Sequence, residues 1–446
     1  MLDFSTTPAG IVLVLGGLAV VIWLVSKPKV DALPRYLVVF VIALTYATIM
    51  PAAVNLLVQL GALAGAYALW LMTPQDARRG KSVVGWVTAI IVVWAVLAFH
   101  PNVPTLSTGM LGFRKTVLAF AGIVLGCAVA SSMIGRFERL VIGSLASALA
   151  VSIFGFYFVP DIEQLVSRSA GEYTSLYAGQ ARLQGIFSGP FHVSAGGVLL
   201  ICWVIVRWKE HRVLAALYAV IGMVSVYLSL VRSAYVALAI VVLVAVRRPP
   251  SATPLSCPAL FGAQGSAGIY ALSVFTQSNL FATAQSISDF STDGRFLNRL
   301  PGYERGLALV GDSPLYGWGS GSAGDTMGAA FDQVGAHVTP HNILLKFAVE
   351  GGFIGLLLIV ALFVALWRRM PVTSSQARLG VLAGVSLLGF GISLSAIETL
   401  PVSYFVMVMI GLGVHDREKT KAEAARPTAH PSLTRLGRRT APHRTP

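Results

Sequence analysis

The chain has 446 residues, of which 55% are hydrophobic and only 12% are charged, and its mean hydropathy is +0.74. A soluble protein carries about 25% charged residues, so this composition excludes an ordinary soluble domain and indicates a membrane protein. The formal net charge of +14 could indicate nucleic-acid binding. However, the charges lie between apolar blocks and not along one face, so we interpret them as marks of membrane topology and predict no nucleic-acid partner.

Apolar blocks recur at the length that crosses a bilayer, which is about 18 to 20 residues. The first block follows no positive charge and precedes no small-residue cleavage site, so we predict a span there and not a signal peptide. We place about thirteen spans. Twelve is an equal alternative, because the hairpin at 36–72 and the Gly-, Ala- and Ser-rich segment 258–277 are the weakest. The spans are 9–26, 36–51, 54–72, 83–99, 115–134, 139–159, 193–207, 213–230, 234–247, 258–277, 343–366, 379–395 and 401–414.

Basic connections define the orientation of these spans. If the spans alternate in direction, all of the basic connections fall on one side of the membrane, which the positive-inside rule assigns to the cytoplasm. Residues 1–414 are thus predicted as one all-α, polytopic transmembrane domain, with periplasmic loops at about 160–192 and 278–341. Residues 415–446 are predicted as a basic, disordered cytoplasmic tail, held at anionic lipid or bound to a partner. The connections are KPKVDALPR (27–35), DARRGK (76–81), RFER (136–139), RWKEHR (207–212), RRPP (247–250) and WRR (367–369).

Several kinds of site are not predicted. The cysteines Cys127, Cys202 and Cys257 show neither disulfide nor zinc-ligand spacing, so they are interpreted as small buried hydrophobes. No Walker A sequence indicates ATP-driven transport, and GWGSGSAG (317–324) lacks the context of a nucleotide fingerprint. Asp289 and Asp293 do not form the paired carboxylates of a metal-dependent transferase. We therefore expect no cofactor and no metal.

The segment VTPHNILLKFAVEGG (338–352) places polar residues at the start of a long apolar run. Thr339 is predicted as the N-cap and Pro340 as the first helical residue, which puts His341 in the first helical turn. Free backbone N–H groups there attract an anion and favour the neutral imidazole that a general base requires. The alternative is a histidine that only caps the membrane interface.

Lys346 and Glu350 lie four residues apart inside the same apolar run. They therefore share one helix face and can form an ion pair, which an apolar environment requires of buried charges. Structural pairing is favoured over chemistry for these two residues. The adjacent Gly351 and Gly352 permit close helix packing or a kink.

Three isolated arginines, Arg182, Arg232 and Arg295, lie on the predicted periplasmic side, against the positive-inside bias. A guanidinium recognises phosphate through two parallel hydrogen bonds. A salt bridge to a loop carboxylate is the alternative for each one alone, whereas three arginines together with His341 favour an anion site.

At these residues the chain resembles the bacterial O-antigen ligase/O-antigen polymerase superfamily of membrane proteins. PHNILLKFAVEGGFIGLLLIV (340–360) is similar to the family's His-Asn and Glu-x-Gly segment, and ARLQGIFSGPF (181–191) to its R-x-x-G-x-F-x-x-P segment. SLVRSAYVAL (229–238), with Val231 where a serine is common, and DGRFLNRLPGYERGLALVGDSPLYGWGSG (293–321) resemble two further segments. The resemblance covers about 180–366.

The resemblance implies a metal-independent, GT-C-like glycosyltransferase of the bacterial inner membrane. Its donor would be an undecaprenyl-diphosphate-linked glycan, and its acceptor a lipid A-core sugar for a ligase or a lipid-linked repeat unit for a polymerase. Lipopolysaccharide, capsule or exopolysaccharide would be the product, and glycan-assembly or chain-length proteins would be partners. Arg182, Arg232 and Arg295 would neutralise the diphosphate, and His341 would activate the acceptor hydroxyl. Asn342, Lys346 and Glu350 would support them.

Two features depart from the family pattern. Phe191, followed by His192, stands where the family commonly has an asparagine, and we place ten spans before the large loop where the family has nine. A different class of function, a secondary transporter or flippase of an anionic lipid-linked sugar, would need polar groups near mid-membrane and an internal repeat. A scaffold for a synthase complex is a third alternative.

Overall fold

The structure is a computed structural model that describes residues 32–75, 78–159, 176–177, 180–247, 299–324, 337–370, 374–392 and 395–414. Several sequence predictions lie outside these residues. They are the spans at 9–26 and 258–277, the tail, most of the two long loops, Cys257 and Arg295.

The described residues form helices and one short hairpin, which pairs β1 (Leu176–Tyr177) with β2 (Gln180–Ala181). Short 3-10 turns separate some of the helices. The helices are α1 (Ala32–Thr45), α2 (Ala52–Met72), α3 (Lys81–Leu97), α4 (Leu106–Val117), α5 (Ala121–Ala128), α6 (Ile134–Phe158), α7 (Pro190–Arg207), α8 (Arg212–Ser229), α9 (Arg232–Arg247), α10 (Leu300–Asp312), α11 (Ile343–Arg369), α12 (Ser375–Gly391) and α13 (Val402–Gly413).

Among the described residues, six helical segments are long and apolar enough to cross a membrane, and four shorter apolar helices accompany them. The prediction of an all-helical polytopic membrane protein is therefore confirmed. The six segments are Val54–Met72, Leu106–Ala128, Ser131–Phe158, Pro190–Arg207, Arg212–Ser229 and Ile343–Arg369, and the shorter helices are Tyr36–Thr45, Lys81–Leu97, Arg232–Val246 and Val402–Gly413.

Burial follows the pattern expected of a bundle in lipid. Large apolar side chains face outward, with Leu57 68% and Leu357 65% exposed, as hydrocarbon solvates them. Trp94 and Trp203 are buried, and Cys127 and Cys202 are buried thiols that form no disulfide, as predicted. Buried side chains therefore pack the helices against each other, and the exposed apolar side chains of the bundle contact lipid.

One predicted span has a different start. The apolar pattern predicts a helix at 115–134, but the helical segment runs from Leu106 to Ala128. Thr105 caps its first turn, because the Thr105 side chain accepts a hydrogen bond from Thr108 N. The polar residues Arg114 and Lys115 lie inside the helix and hid its first half from a hydropathy window.

The two ends of the bundle differ in charge. At one end, called the basic end, Arg79 donates to the carbonyl oxygens that end α5, at 2.7 and 2.9 Å, and Arg207 pairs with Glu138 at 2.7 Å. Arg368 and Arg369 end α11 beside this surface. The opposite end, called the loop end, contains the start of α7, α9, α11 and α13 and the end of α8 and α12.

Helix α11 is broken at Gly352, where φ is 60° and ψ is −159°, so of the two possibilities left open for Gly351 and Gly352, close helix packing or a kink, the kink occurs. The break frees backbone groups that hydrocarbon cannot solvate. The segment 313–324, called the 313–324 loop, satisfies them. Its bonds run from Trp318 N to Val349 O (2.8 Å), from Gly319 N to Glu350 O (3.0 Å) and from Phe353 N to Pro314 O (2.7 Å).

Glycine is required where this loop meets the helices. A Cβ on Gly352 would lie 2.4 Å from the carbonyl carbon of Leu315, and one on Gly112 would lie 2.3 Å from Gly321 N. The φ and ψ of Gly352 belong to a region that is essentially restricted to glycine. The glycines of this region therefore serve close backbone packing.

We predict that Gly352→Ala destabilises the protein by at least about 2 kcal/mol, because backbone strain adds to the overlap with Leu315. The control is Gly61→Ala in α2, where no atom lies within 4 Å of the added Cβ and alanine is the better helix former. Thermal unfolding of the purified protein in detergent measures both. Equal melting temperatures for the two variants would contradict the prediction.

Candidate functional site

His341 lies at the loop end, half-buried, directly before helix α11. Its φ is 46°, in the left-handed region, which residues other than glycine adopt uncommonly and which is found among residues of functional sites. The Tyr303 hydroxyl donates a hydrogen bond shared between the carbonyl oxygens of His341, at 3.3 Å, and Ile392, at 3.1 Å. Burial raises the pKa of the Tyr303 phenol, so it remains a donor. The backbone at His341 is thus held from α10.

The predicted N-cap of α11 is wrong. The N-cap is Asn342, whose side-chain oxygen accepts hydrogen bonds from Leu344 N at 2.9 Å and Leu345 N at 3.0 Å. Asparagine is a stronger N-cap than threonine, and with Asn342 in this role His341 precedes the helix and does not lie in its first turn. The supporting residue Asn342 therefore positions the start of α11, and its amide also donates to Ile392 O at 3.4 Å.

Arg182 is buried where the chain after β2 meets the end of α8. Its Nε donates to Ser229 O at 3.0 Å. The next residue, Leu183, donates a backbone hydrogen bond to Leu228 O at 2.8 Å, which holds the chain after β2 against the end of α8. The guanidinium lies 5.5 Å from the centre of the Phe191 ring, a distance typical of a cation–π contact. Phe191, which stands where the family commonly has an asparagine, therefore places an aromatic ring against the arginine.

Arg232 is the first residue of α9 and is half-buried. Leu230, with φ 52°, ends α8 in the left-handed conformation, so the chain reverses between Ser229 and Arg232. Arg182 contacts the same reversal through Ser229. The structure therefore brings Arg182 and Arg232 to one turn, whereas Arg295 lies outside the described residues.

Helix packing places His341 at the same end of the bundle as this turn. A Cβ on Gly389 of α12 would lie 2.9 Å from Ala237 Cα of α9, and one on Gly391 would lie 2.5 Å from Ile343 of α11. The end of α12 thus contacts both the start of α9, after Arg232, and the start of α11, after His341.

Lys346 and Glu350 form the predicted ion pair, 2.7 Å apart and fully buried. Lys346 also pairs with Glu398, at 2.8 Å, and donates to Ala323 O in the 313–324 loop. We call Lys346, Glu350 and Glu398 the buried charge cluster.

Neutral donors complete the surroundings of Glu350. Trp94 of α3 donates to it at 2.8 Å, and Thr116 of α4 and Gly321 N each donate at 3.2 Å. Four parts of the chain therefore meet at one carboxylate, namely α3, α4, the 313–324 loop and α11 itself. Lys346 and Glu350 are structural residues in this arrangement, as favoured from the sequence.

Sequence reasoning missed Glu398 and Tyr303. Glu398 lies in SAIETLP (395–401), a short polar connection between two predicted spans. A lone acid in such a connection was the available signal, but its partner Lys346 is distant in sequence. Tyr303 has no local signal that separates it from other loop aromatics. Among the described residues, no group of three or more His, Cys, Asp or Glu side chains could hold a metal ion.

These features describe a polytopic membrane protein with arginines and an unusually constrained histidine at one end of its bundle. Residues 188–360 match the family model described as O-Antigen ligase. The match includes Arg232, His341 and the Lys346–Glu350 pair, and begins just after Arg182. No curated protein matches the chain.

The match confirms the resemblance inferred from the motifs, because residues 188–360 carry an O-antigen ligase domain. Enzymes of this family are glycosyltransferases whose substrates are a lipid-linked glycan and an acceptor. The chain is therefore assigned an O-antigen ligase/polymerase-like function.

We predict that Lys346→Met destabilises the protein by about 3–5 kcal/mol, because it leaves Glu350 buried without its ammonium partner. Adding Glu350→Gln to Lys346→Met should recover part of this loss, since the amide needs no counter-charge. A double-mutant cycle of thermal unfolding measures the coupling. The exposed Arg368→Met is the control for a change of charge, and a Lys346→Met variant as stable as this control would contradict the interpretation.

Proposed function

We propose that this protein transfers or polymerises undecaprenyl-diphosphate-linked saccharide units at the periplasmic face of the bacterial inner membrane. The observation that carries the proposal is the arrangement at the loop end, where Arg182 and Arg232 share one turn and His341 stands in a constrained backbone conformation. Lipopolysaccharide, capsule and exopolysaccharide are the product classes, and a ligase or a polymerase would use the same donor site.

The charge difference between the two ends supports the orientation. Short basic segments are retained in the cytoplasm, and the described part of the chain has Arg79, Arg207 and Arg368 at the basic end. The loop end would then face the periplasm. Helix α13 runs towards the basic end, so the C-terminal tail would follow on the cytoplasmic side.

The proposed reaction is a direct displacement. His341 accepts the proton of the acceptor hydroxyl as its oxygen attacks the anomeric carbon of the donor glycan. The bond from that carbon to the diphosphate oxygen breaks, and undecaprenyl diphosphate leaves with the bonding electron pair. Negative charge therefore grows on the diphosphate, and fixed guanidinium groups aimed at it lower the barrier. Arg182 and Arg232 have this role, together with Arg295.

This scheme is of the metal-independent, GT-C-like type. Guanidinium groups stabilise the leaving group in it, which is the task of a divalent cation in other glycosyltransferases. The family match supports glycosyl transfer, and the stabilising role of the arginines follows from their chemistry.

The transport alternative has less support. A broken helix such as α11 is typical of transporters, where it presents free backbone groups to a substrate. Here the freed groups of Val349, Glu350 and Phe353 bond to the 313–324 loop. Lys346 and Glu350 are also fully buried against each other, so neither the break nor the charges offer a binding surface.

We predict that His341→Ala removes glycan transfer, and that Arg182→Ala, Arg232→Ala and Arg295→Ala each lower its rate by about 10²–10³-fold, the effect of losing one preorganised charge. Long-chain surface glycan in a host that depends on this protein is the measurement. His211→Ala and Arg368→Ala, both at the basic end, are the matched controls with normal glycan expected. Undiminished glycan in the His341 and arginine variants would contradict the proposal.

Tyr303→Phe is expected to lower the transfer rate several-fold, because it removes the hydroxyl that holds the carbonyl of His341 and keeps the ring. The change should act on kcat and leave the donor KM close to that of the wild type. The exposed Tyr316→Phe is the control. An unaltered kcat for Tyr303→Phe would show that this contact does not position His341.

A further inference from the structure

Helices α8 and α9 diverge from the turn at which Arg182 and Arg232 lie. Only Leu230 and Val231 separate the two helices in the chain. Over the residues that the structure describes, however, α8 and α9 scarcely contact each other. Both pack against α7, which lies behind them. The two helices are therefore the walls of a V-shaped cleft, called the α8–α9 cleft, with the two arginines at its apex.

Close glycine contacts with other helices hold α8 and α9 apart. A Cβ on Gly222 of α8 would lie 2.9 Å from Gly197 O of α7, and one on Gly389 of α12 would lie 2.9 Å from Ala237 Cα of α9. Small residues let helix backbones approach this closely in a membrane. The α8–α9 cleft is therefore a product of the packing of α8 on α7 and of α9 on α12.

One wall of the cleft is a half-buried side of α9. Ala237 and Ile240 lie against α12. Tyr235, Leu238 and Val242 share one face of the helix by their spacing, on the side opposite to α12, and all three are half-buried. This wall is therefore apolar except for the Tyr235 hydroxyl.

The other wall is the side of α8 that faces α9. Tyr218 lies against α6 and Gly222 against α7, so the next residues round the helix, Ala219, Met223 and Tyr227, face the cleft. Ala219 and Tyr227 are half-buried, and Met223 is 45% exposed. Neither wall carries a charged side chain, and each has a tyrosine nearest the apex.

The charge at the apex indicates which lipid fits the cleft. Arg182 donates to Ser229 O at the end of α8, at 3.0 Å, and Arg232 begins α9. Two guanidinium groups complement the charge of a diphosphate, whereas the phosphodiester of a phospholipid has a single negative charge. A diphosphate that carries one long apolar chain therefore matches both the apex and the walls.

We infer that the α8–α9 cleft binds the polyprenyl chain of the lipid-linked donor and so places the donor diphosphate at Arg182 and Arg232. The inference rests on the proposed function, because that function supplies a polyprenyl diphosphate. Lipid tails are as apolar as the cleft, so the gain comes from van der Waals contact with its walls and from fixing the position of the diphosphate.

The test fills the cleft with a larger side chain and compares two diphosphates. The Val242→Trp substitution lies about 15 Å along α9 from Arg232, at 1.5 Å per residue. Its matched control at the same depth is Leu243→Trp, on the outer side of α9, where Leu243 is 49% exposed. The full chain in nanodiscs of zwitterionic lipid is titrated with undecaprenyl diphosphate, whose chain passes Val242, and with geranyl diphosphate, whose short chain ends above it.

For Val242→Trp we expect an affinity for undecaprenyl diphosphate about tenfold lower than that of the wild type and an unaltered affinity for geranyl diphosphate. Leu243→Trp should bind both as the wild type does. Equal affinities of the two tryptophan variants for undecaprenyl diphosphate would overturn the inference. Arg182→Met tests the proposed function separately, because it should weaken the binding of both diphosphates. If it weakens neither, the diphosphate site fails independently of the cleft.

Photolabelling of the wild type makes the test independent of how well the variants fold. Undecaprenyl diphosphate with a diazirine in the middle of its chain is bound and irradiated, and the labelled peptides are identified by mass spectrometry. We expect label on the cleft sides of α8 and α9, around Met223 and Leu238, that excess undecaprenyl diphosphate displaces and excess phosphatidylglycerol does not. Label on other helices would show that the chain lies elsewhere, and displacement by phosphatidylglycerol would assign the cleft to membrane phospholipid. Either result would overturn the inference.

Discussion

The break of helix α11 at Gly352 is the constraint on which the rest of the structure depends. Irregular backbone inside a membrane is stable only where protein groups satisfy it, and here the 313–324 loop does so with hydrogen bonds on both sides of the break. The loop in turn is held by Lys346, which bonds Ala323 O and pairs with Glu350 and Glu398. The break, the loop and the buried charge cluster therefore form one cooperative unit.

This unit extends to the candidate site. His337 and Thr339 bond Gly324 O, at 3.0 and 3.4 Å, and Val338 N bonds Ser322 O at 3.2 Å. The segment from Val338 to His341 is thus bonded to the 313–324 loop, which Lys346 of the buried charge cluster holds in place. Tyr303 and Asn342 fix the other side of His341 through the end of α12. Preorganisation of this kind is what a catalytic group needs, because a site that moves loses much of its rate.

Local patterns predicted the features that depend on neighbours in sequence. The spacing of Lys346 and Glu350 predicted their ion pair, Gly351 and Gly352 indicated close helix packing or a kink, and apolar windows located most helices. Competition between two local signals explains one error: Thr339 and Asn342 are both N-cap residues, and the stronger one begins α11. The early start of α4 was hidden because Arg114 and Lys115 interrupt its apolar pattern.

Features that depend on tertiary contacts could not be predicted in this way. Glu398 meets Lys346 only after the last helices pack, and Arg182 meets Ser229 only after α7 and α8 fold back on each other. The motif resemblance gave Arg182, Arg232 and His341 their expected roles, whereas the packing of α9, α11 and α12 provides the physical reason that they lie at one end of the bundle.

The most direct test of the account is an electron cryomicroscopy structure of the full chain in nanodiscs with undecaprenyl diphosphate bound. The account predicts diphosphate density within about 3 Å of guanidinium nitrogens of Arg182 and Arg232, with the His341 imidazole facing the same space. Density at the basic end, or at the loop end without contact to either arginine, would contradict it.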